Sequence, residues 1–214
     1  MIEIKNVEVA GIETAIRGMR NPLKSWDKAD SWEEVHEYKV GEKDLSLAAK
    51  LAAAGPDHGK LLRQIYVGAD INAPLYWWKQ MDQYKVGTTT NSESTMHRLT
   101  KDPISVGNFS IDEDTIHIAL DGAYTVGDAW LDMATNLELL RLKCLFDPDN
   151  SEQYWRALNQ LLPQGYLQMR TWTGNYAVLK NIYHARKHHR LEEWHDFCHW
   201  IATLPYAKEL IIGE

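Results

Sequence analysis

The residues best able to do chemistry crowd into one stretch, APLYWWKQMDQYKVGTTTNSESTMHRL at positions 73–99. An aromatic entry runs into Gln80, Gln83, Tyr84 and Lys85. Gly87 and three threonines follow, and then Asn91, Ser92, Glu93 and Ser94. On a helix expected over 74–85, with Pro74 in its first turn, Gln80, Gln83 and Tyr84 share a face, because neighbours lie three and four residues apart. The polar residues after it bond to nearby backbone and disfavour further helix. Lys85 supplies charge, and the hydroxyls, the amide and backbone N–H groups supply donors, a set that suits a phosphate or a base edge. By composition alone, a solvated helix end and a polar loop account for the same letters.

A second constellation lies near the C-terminus. Lys180, Arg186, Lys187, His188, His189 and Arg190 concentrate positive charge in a chain whose net charge is −7. Arg186 falls on a partly apolar helix face and therefore calls for an anionic or planar partner, since unpaired burial is costly. An acidic side chain would serve as well as a ligand. His184 and His188, and His195 and His199 beside Cys198, are spaced four apart, as zinc ligands on a helix can be. Neither pair carries the Glu of H-E-x-x-H, and the basic run around the first repels a cation, so no metal is expected. GPDHGK at 55–60 lacks the spacing of a phosphate-binding glycine loop, and His58 there reads as a turn residue. There is no G-x-S-x-G elbow, and Cys198 lies in an apolar helical stripe, so no nucleophile stands out.

These groups must be carried by an α+β chain. IEIKNVEVAGI reads as an opening strand, and DLSLAAKLAAAGP as a helix stopped by Gly55 and Pro56. LLRQIYVGADINA alternates Ile65, Val67, Ala69 and Ile71 on one face, the pattern of a strand. Residues 20–43 read as a loop with a short helix, and 100–115 as loop. A long helix is expected from Val126 to Phe146, and another after the box-like NSEQ at 150–153, ending at Leu162. GNYAVLKNIYHARKH reads as helix, with Tyr176, Leu179, Ile182, Tyr183 and Arg186 near one face. LEEWHDFCHWIATLP is the clearest helix, its stripe running Leu191, Trp194, Phe197, Cys198, Ile201, Leu204 before Pro205.

At 214 residues, with an ordinary composition apart from nine tryptophans, the chain has enough apolar surface for a sizeable core, and a single domain over 1–214 is expected. The acidic balance opposes general nucleic-acid binding. The two cysteines, Cys144 and Cys198, point to reduced thiols. No apolar run is long enough for a membrane, and the acidic N-terminus is unlike a signal peptide, so a cytoplasmic location is expected.

Three blocks, in order, resemble the flavin-dependent thymidylate synthases, which methylate dUMP with a reduced flavin and methylenetetrahydrofolate. LAAAGPDHGKLLRQIYVGADINAPLYWW is similar to the family's helix, G-H turn and strand, with His58 at the motif's His; Leu62, Arg63 and Gln64 replace Phe-Glu-His. In the second block Gln80, Asn91 and Ser94 match. Gln83, Tyr84 and Lys85 stand where the family has Arg-His-Arg. The spacer to Ser94 is one residue longer, Ser92 replaces Glu, and Met96 and His97 replace Arg and Tyr. In LLPQGYLQMRTWTGNYAVLKNIYHAR, Leu162, Pro163, Asn175 and Arg186 match, while Ala177 and Asn159 replace arginines.

The resemblance covers roughly residues 45–205. It implies a small antiparallel sheet packed with several α-helices, FAD as cofactor, a pyrimidine nucleotide such as dUMP as substrate, methylenetetrahydrofolate as one-carbon donor, and a homotetramer. It implies that Arg186 holds the pyrimidine and, with Ser94, belongs to the catalytic site. Ser94 and Lys85 would hold phosphate and Gln80 would meet the nucleotide. His58, Gln83, Tyr84, Asn91 and Asn175 would face the flavin. The lost guanidiniums of the second block suit a divergent member, such as a phage-encoded one, or a catalytically inactive oligomeric protein on the same fold, since glutamine offers neither the charge nor the bidentate fork.

Overall fold

The alternation at Ile65, Val67, Ala69 and Ile71 buries all four side chains, and the strand that carries the last three is the second of a four-stranded antiparallel sheet. The computed structural model describes residues 2–35 and 37–213. In chain order the elements are β1 (Glu3–Ala10), α1 (Ile12–Met19), β2 (Trp32–Glu34), β3 (Glu37–Lys39), α2 (Glu42–Ala53), β4 (Tyr66–Pro74), α3 (Leu75–Met81), β5 (Thr89–Ser92), α4 (Thr95–Arg98), α5 (Glu113–Ile116), β6 (Ala119–Asp121), β7 (Tyr124–Thr125), α6 (Val126–Phe146), α7 (Ser151–Leu161), β8 (Leu167–Asn175), α8 (Tyr176–Arg186) and α9 (Glu192–Ala202). The sheet runs in the order β1-β4-β8-β5, and β2-β3 and β6-β7 form separate hairpins. This is the expected class, a small antiparallel sheet with several helices.

The chain divides into two compact units. One, here the terminal unit, comprises Ile2–Ile71, Gln83–Thr90 and Thr171–Glu214. Its core joins the buried face of β4 to Trp172, Tyr176, Leu179, Ile182, Trp194, Phe197 and Ile201. Phe197 meets Trp172 and Trp194 edge-on, at 6.2 and 5.9 Å, the arrangement that ring quadrupoles prefer. The buried charges of Arg20 and Asp44 pair with one another in this unit. Asp44 is fully enclosed, yet it accepts bonds from Arg20 Nε at 2.6 Å, Ser31 Oγ at 2.6 Å and the amides of Asp30 and Ser31 at 3.0 Å. Burial by itself raises the pKa of this carboxyl; the Ser31 hydroxyl, the Arg20 guanidinium and the Asp30 amide outweigh it and hold the group below its usual range.

The other, central unit comprises Asn72–Asp82 and Asn91–Arg170. Here α6 packs on α7 around Leu99, Ile104, Phe109, Ala134, Leu137 and Leu158. Trp77 and Trp78 of α3 are fully buried, with ring centroids 4.9 Å apart. Thr125 caps α6 through a reciprocal box with Asp128, which satisfies donors that a helix start leaves open.

Several expectations hold closely. The opening strand, the helix before Gly55, the helix Val126–Phe146 and the final helical stripe all form, with Trp194, Phe197, Cys198, Ile201 and Leu204 buried. Others need correction. The helix expected over 74–85 spans only Leu75–Met81, and Pro74 closes β4 instead of entering the helix. Asp82 ends it as the C-cap, and its carboxylate is drawn off to Arg170. The strand expected from Leu61 starts at Tyr66, because Gly59–Arg63 form a 3-10 turn. NSEQ forms no capping box: the Asn150 amide turns back to the Asp147 carboxylate, leaving α7 without a side-chain cap. Residues 20–43 hold two 3-10 turns and the β2-β3 hairpin. Gly174 and Asn175, read as helix, end a nine-residue strand, β8.

Candidate functional site

In the terminal unit the first and third sequence blocks come together. The turn after α2 and the outer face of α8 wall a cavity of about 340 Å³, lined by Ala52, Gly55, Pro56, Gly59, Leu62, Arg63, Ala177, Lys180, Asn181 and His184. The turn exists because Gly55 adopts a left-handed conformation (φ 98°) where the helix ends, a position that costs glycine nothing. Its walls are aliphatic, and three of the lining residues carry basic side chains. Arg63 Nη2 donates to Pro56 O at 2.8 Å, and Lys180 Nζ to Ala52 O at 3.0 Å, so each cation is anchored to backbone at the cavity edge. Burial pushes the Lys180 ammonium pKa down. His58 stands exposed at the start of the 3-10 turn and does not line the cavity.

A second cluster in the same unit joins the polar loop to α8 and α9. Arg186 Nε donates to Tyr84 Oη at 2.8 Å, and the guanidinium lies 4.7 Å from the centre of the Trp194 ring. Arg186 thus has the planar partners its position demanded, supplied by the protein itself, in a cation–π arrangement. Tyr84 and Trp194 meet edge-on at 6.1 Å. The loop is pinned locally, since the Thr88 hydroxyl donates to Tyr84 O. At Gly87 the backbone is left-handed (φ 78°), and a Cβ there would lie 3.2 Å from Asn175 Nδ2 and from the Val178 side chain. The loop therefore runs against the start of α8. Asn175 is the N-cap of that helix, its Oδ1 accepting from Val178 N at 3.1 Å. Gln83 and Lys85 are exposed on the same loop.

The remaining expected residues belong to the central unit. Gln80 is half-buried in α3, Asn91 is exposed in β5, and Ser94 is the exposed N-cap residue of α4, making no side-chain cap bond. Nearby, Asn72, Glu93, Arg98, Asp102, Asn108 and Tyr166 line a polar cavity of about 240 Å³, in which Arg98 and Asp102 form an ion pair. Sequence reasoning placed none of Glu93, Asp102, Asn108 or Tyr166 at a site. Arg170 was also missed, because β8 itself was not recognised.

Among the described residues no group of three or more His, Cys, Asp or Glu side chains comes together as a metal site. His184 Nε2 lies 3.0 Å from Ile211 O. Burial pushes the Cys198 thiol pKa up to about 11, which keeps it protonated and inert at neutral pH. Among the described residues no helix is long and apolar enough to cross a membrane.

Solved structures share this arrangement of elements. Thymidylate synthase X from Helicobacter pylori, crystallised with FAD and dUMP, superposes with a TM-score of 0.69 at 16% identity, covering 99% of this chain and 97% of that one. A second crystal structure of that flavin-dependent enzyme with FAD and dUMP gives 0.68 at 16% identity, over 98% and 97%. The UMP/dUMP methylase PolB from Streptomyces cacaoi, bound with 5-Br dUMP, gives 0.64 at 14% identity, over 99% and 94%. The fold is that of the flavin-dependent thymidylate synthases. No protein-family model matches the chain, and no curated protein does. The likeness of this chain to thymidylate synthase X is thus one of fold, with side chains that have diverged widely.

Proposed function

We propose that this protein binds FAD and a pyrimidine nucleotide such as dUMP, as a divergent relative of the flavin-dependent thymidylate synthases, and acts as a homotetramer. The observation that carries this reading is the cavity between the Gly55–Arg63 turn and α8. Two segments far apart in sequence, picked out by family likeness, form its walls. Its chemistry fits a flavin nucleotide. Ala52, Pro56, Leu62 and Ala177 offer apolar surface to a ring, and Arg63 and Lys180 offer cations to phosphate. The volume suits one ring system of FAD rather than all of it.

In this reading the cavity residues hold part of the cofactor, and His58, Gln83, Tyr84, Asn91 and Asn175 are the further residues proposed for flavin binding. A reduced flavin, when bound, supplies hydride chemistry. The chain itself supplies binding and charge. Arg186, held flat by Trp194 and Tyr84, presents a fixed cation that stabilises negative charge developing on a pyrimidine ring, an electrostatic role that needs no covalent step. Ser94 and Lys85 hold the phosphate, and Gln80 meets the nucleotide. Methylenetetrahydrofolate is the co-substrate to be tested.

The experiment is reconstitution. Purified protein mixed with FAD should retain flavin absorbance near 450 nm, roughly where the free cofactor absorbs, and dUMP should perturb that band. Protein that stays colourless after exposure to FAD overturns the reading. Release of tritium from labelled dUMP, dependent on reduced flavin and on the folate, then tests methyl transfer.

A second reading is a catalytically inactive oligomeric binding or regulatory protein on the same fold. One observation favours it: the Nε–H of Arg186 is taken by a tyrosine hydroxyl within the chain. Flavin and nucleotide binding without tritium release would select it.

A further inference from the structure

The polar segment 83–92 enters after Asp82 and leaves before Glu93, and one line of hydrogen bonds in the central unit, running through the buried Gln168, ties these two residues together. Arg170 of β8 donates from Nη1 to Asp82 Oδ1 at 2.8 Å and from Nε to Gln168 Oε1 at 3.0 Å. Its guanidinium lies 4.4 Å from the centre of the fully buried Trp78 ring. An arginine can only donate, so it fixes the Gln168 amide with its oxygen toward Arg170 and its nitrogen free to donate elsewhere. That nitrogen, Nε2, donates to Glu93 O at 2.7 Å. Gln168 is 7% exposed, so water cannot readily replace either bond. Trp78 Nε1 donates to Gln168 O at 2.9 Å, holding the same strand residue from the other side. Glu93 is further fixed by its own amide, which donates to Met169 O at 3.0 Å, and by its carboxylate, which accepts from Met169 N at 3.2 Å.

We propose that Arg170 and Gln168 are positioning residues that fix Asp82 and Glu93, and so anchor the two ends of segment 83–92, which carries Gln83, Tyr84, Lys85 and Asn91. The assignment to ligand binding rests on the function proposed above; the mechanical role does not. The chain Asp82–Arg170–Gln168–Glu93 is directional, each group having the polarity its neighbour requires. Gln168→Glu breaks it without changing volume: the new carboxylate keeps Arg170 but faces the Glu93 carbonyl with no hydrogen to donate. Arg170→Gln removes the charge at the Asp82 end, and Arg170→Lys keeps the charge but not the fork.

The test compares amide hydrogen exchange across 83–92, melting temperature, and affinity for FAD and for dUMP in wild type and these three variants. Gln168→Glu and Arg170→Gln are expected to speed exchange in 83–92 by about tenfold while the β1 and α9 amides keep their protection. Ligand affinity should fall by about tenfold, the scale of one strong hydrogen bond, and Arg170→Lys should recover part of both. Unchanged exchange in 83–92 in both Gln168→Glu and Arg170→Gln overturns the proposal, as does acceleration spread evenly over the whole chain. If Arg170→Gln does not fold, Gln168→Glu reads the same connection. If wild type takes up neither FAD nor dUMP, the functional reading falls, while the exchange comparison still decides whether the segment is held this way.

Discussion

At the scale of single residues, Tyr84 is where this chain departs most tellingly from the family pattern. A tyrosine stands where the resemblance places histidine, and its hydroxyl accepts the Nε–H of Arg186. Tyr84→Phe keeps the ring against Trp194 and removes only that acceptor. It should cost about 0.5–1.5 kcal/mol in chemical denaturation and weaken dUMP binding several-fold in a titration followed by flavin absorbance. An equal affinity in the variant would mean that Arg186 needs no help from Tyr84 to meet a ligand. The buried Arg20–Asp44 pair makes a different prediction, about pH. The Asp44 carboxyl ionises below its usual range in the folded chain. It therefore adds stability above its unfolded pKa of about 3.9, and that contribution is lost as pH falls through this value toward the lower folded one. Asp44→Asn leaves Arg20 buried without a counter-charge, which should cost about 3–5 kcal/mol at pH 7. The gap between wild type and variant should narrow as the pH drops below about 4 and close below the lower folded value, where Asp44 is neutral in both states of the wild type.

At the scale of elements, the junction of β8 and α8 matters most, because it holds a residue with two readings. Asn175 caps α8 through Val178 N and was also expected to face a flavin. Replacement by Asp keeps the capping acceptor, and replacement by Ala removes it, at about 1 kcal/mol. If the cap is the whole role, Asn175→Asp should match wild type in both melting temperature and FAD affinity. If the amide also serves the cofactor, Asn175→Asp should lose affinity at unchanged melting temperature. This junction also shows why part of the fold was hidden. Helix α9 was legible because its apolar residues Trp194, Phe197, Cys198 and Ile201 repeat at the helical period. Strand β8, LQMRTWTGN, was not: its buried face carries Gln168, Trp172 and Gly174, so no apolar alternation marks it. Gln168 is tolerable there only because Arg170 and Glu93 satisfy its amide, a fact of tertiary structure. The end of α3 was misplaced for the same reason, since Asp82 is claimed by a residue 88 positions further on. Similarly, Lys180 and Arg63 could not be joined to one cavity from sequence, because what places them there is the packing of α8 on the 3-10 turn after α2.

At the scale of the whole molecule, the apolar surface of the central unit argues for association. On α6 and α7, Leu131, Leu139, Leu145, Phe146 and Leu161 are each more than half exposed. Leu139 and Leu161 also line a mainly aliphatic groove with Met133, Leu137 and Leu140. Single exposed leucines are ordinary, but a run of this kind on one helix pair is the pattern of a protein–protein contact. The homotetramer proposed above gives these residues a place to be buried. Light scattering of wild type should report four chains per particle. Leu139→Glu together with Phe146→Ser puts charge and polarity into the run without touching any core residue, so the variant should fold and shift toward a smaller species. Flavin retention then separates two arrangements. If the FAD site is complete within one chain, the smaller species should keep its absorbance near 450 nm. If cofactor is lost in step with the tetramer at unchanged melting temperature, a neighbouring chain must supply part of the site. A variant that remains tetrameric would instead show that this face of α6 is not where the chains meet.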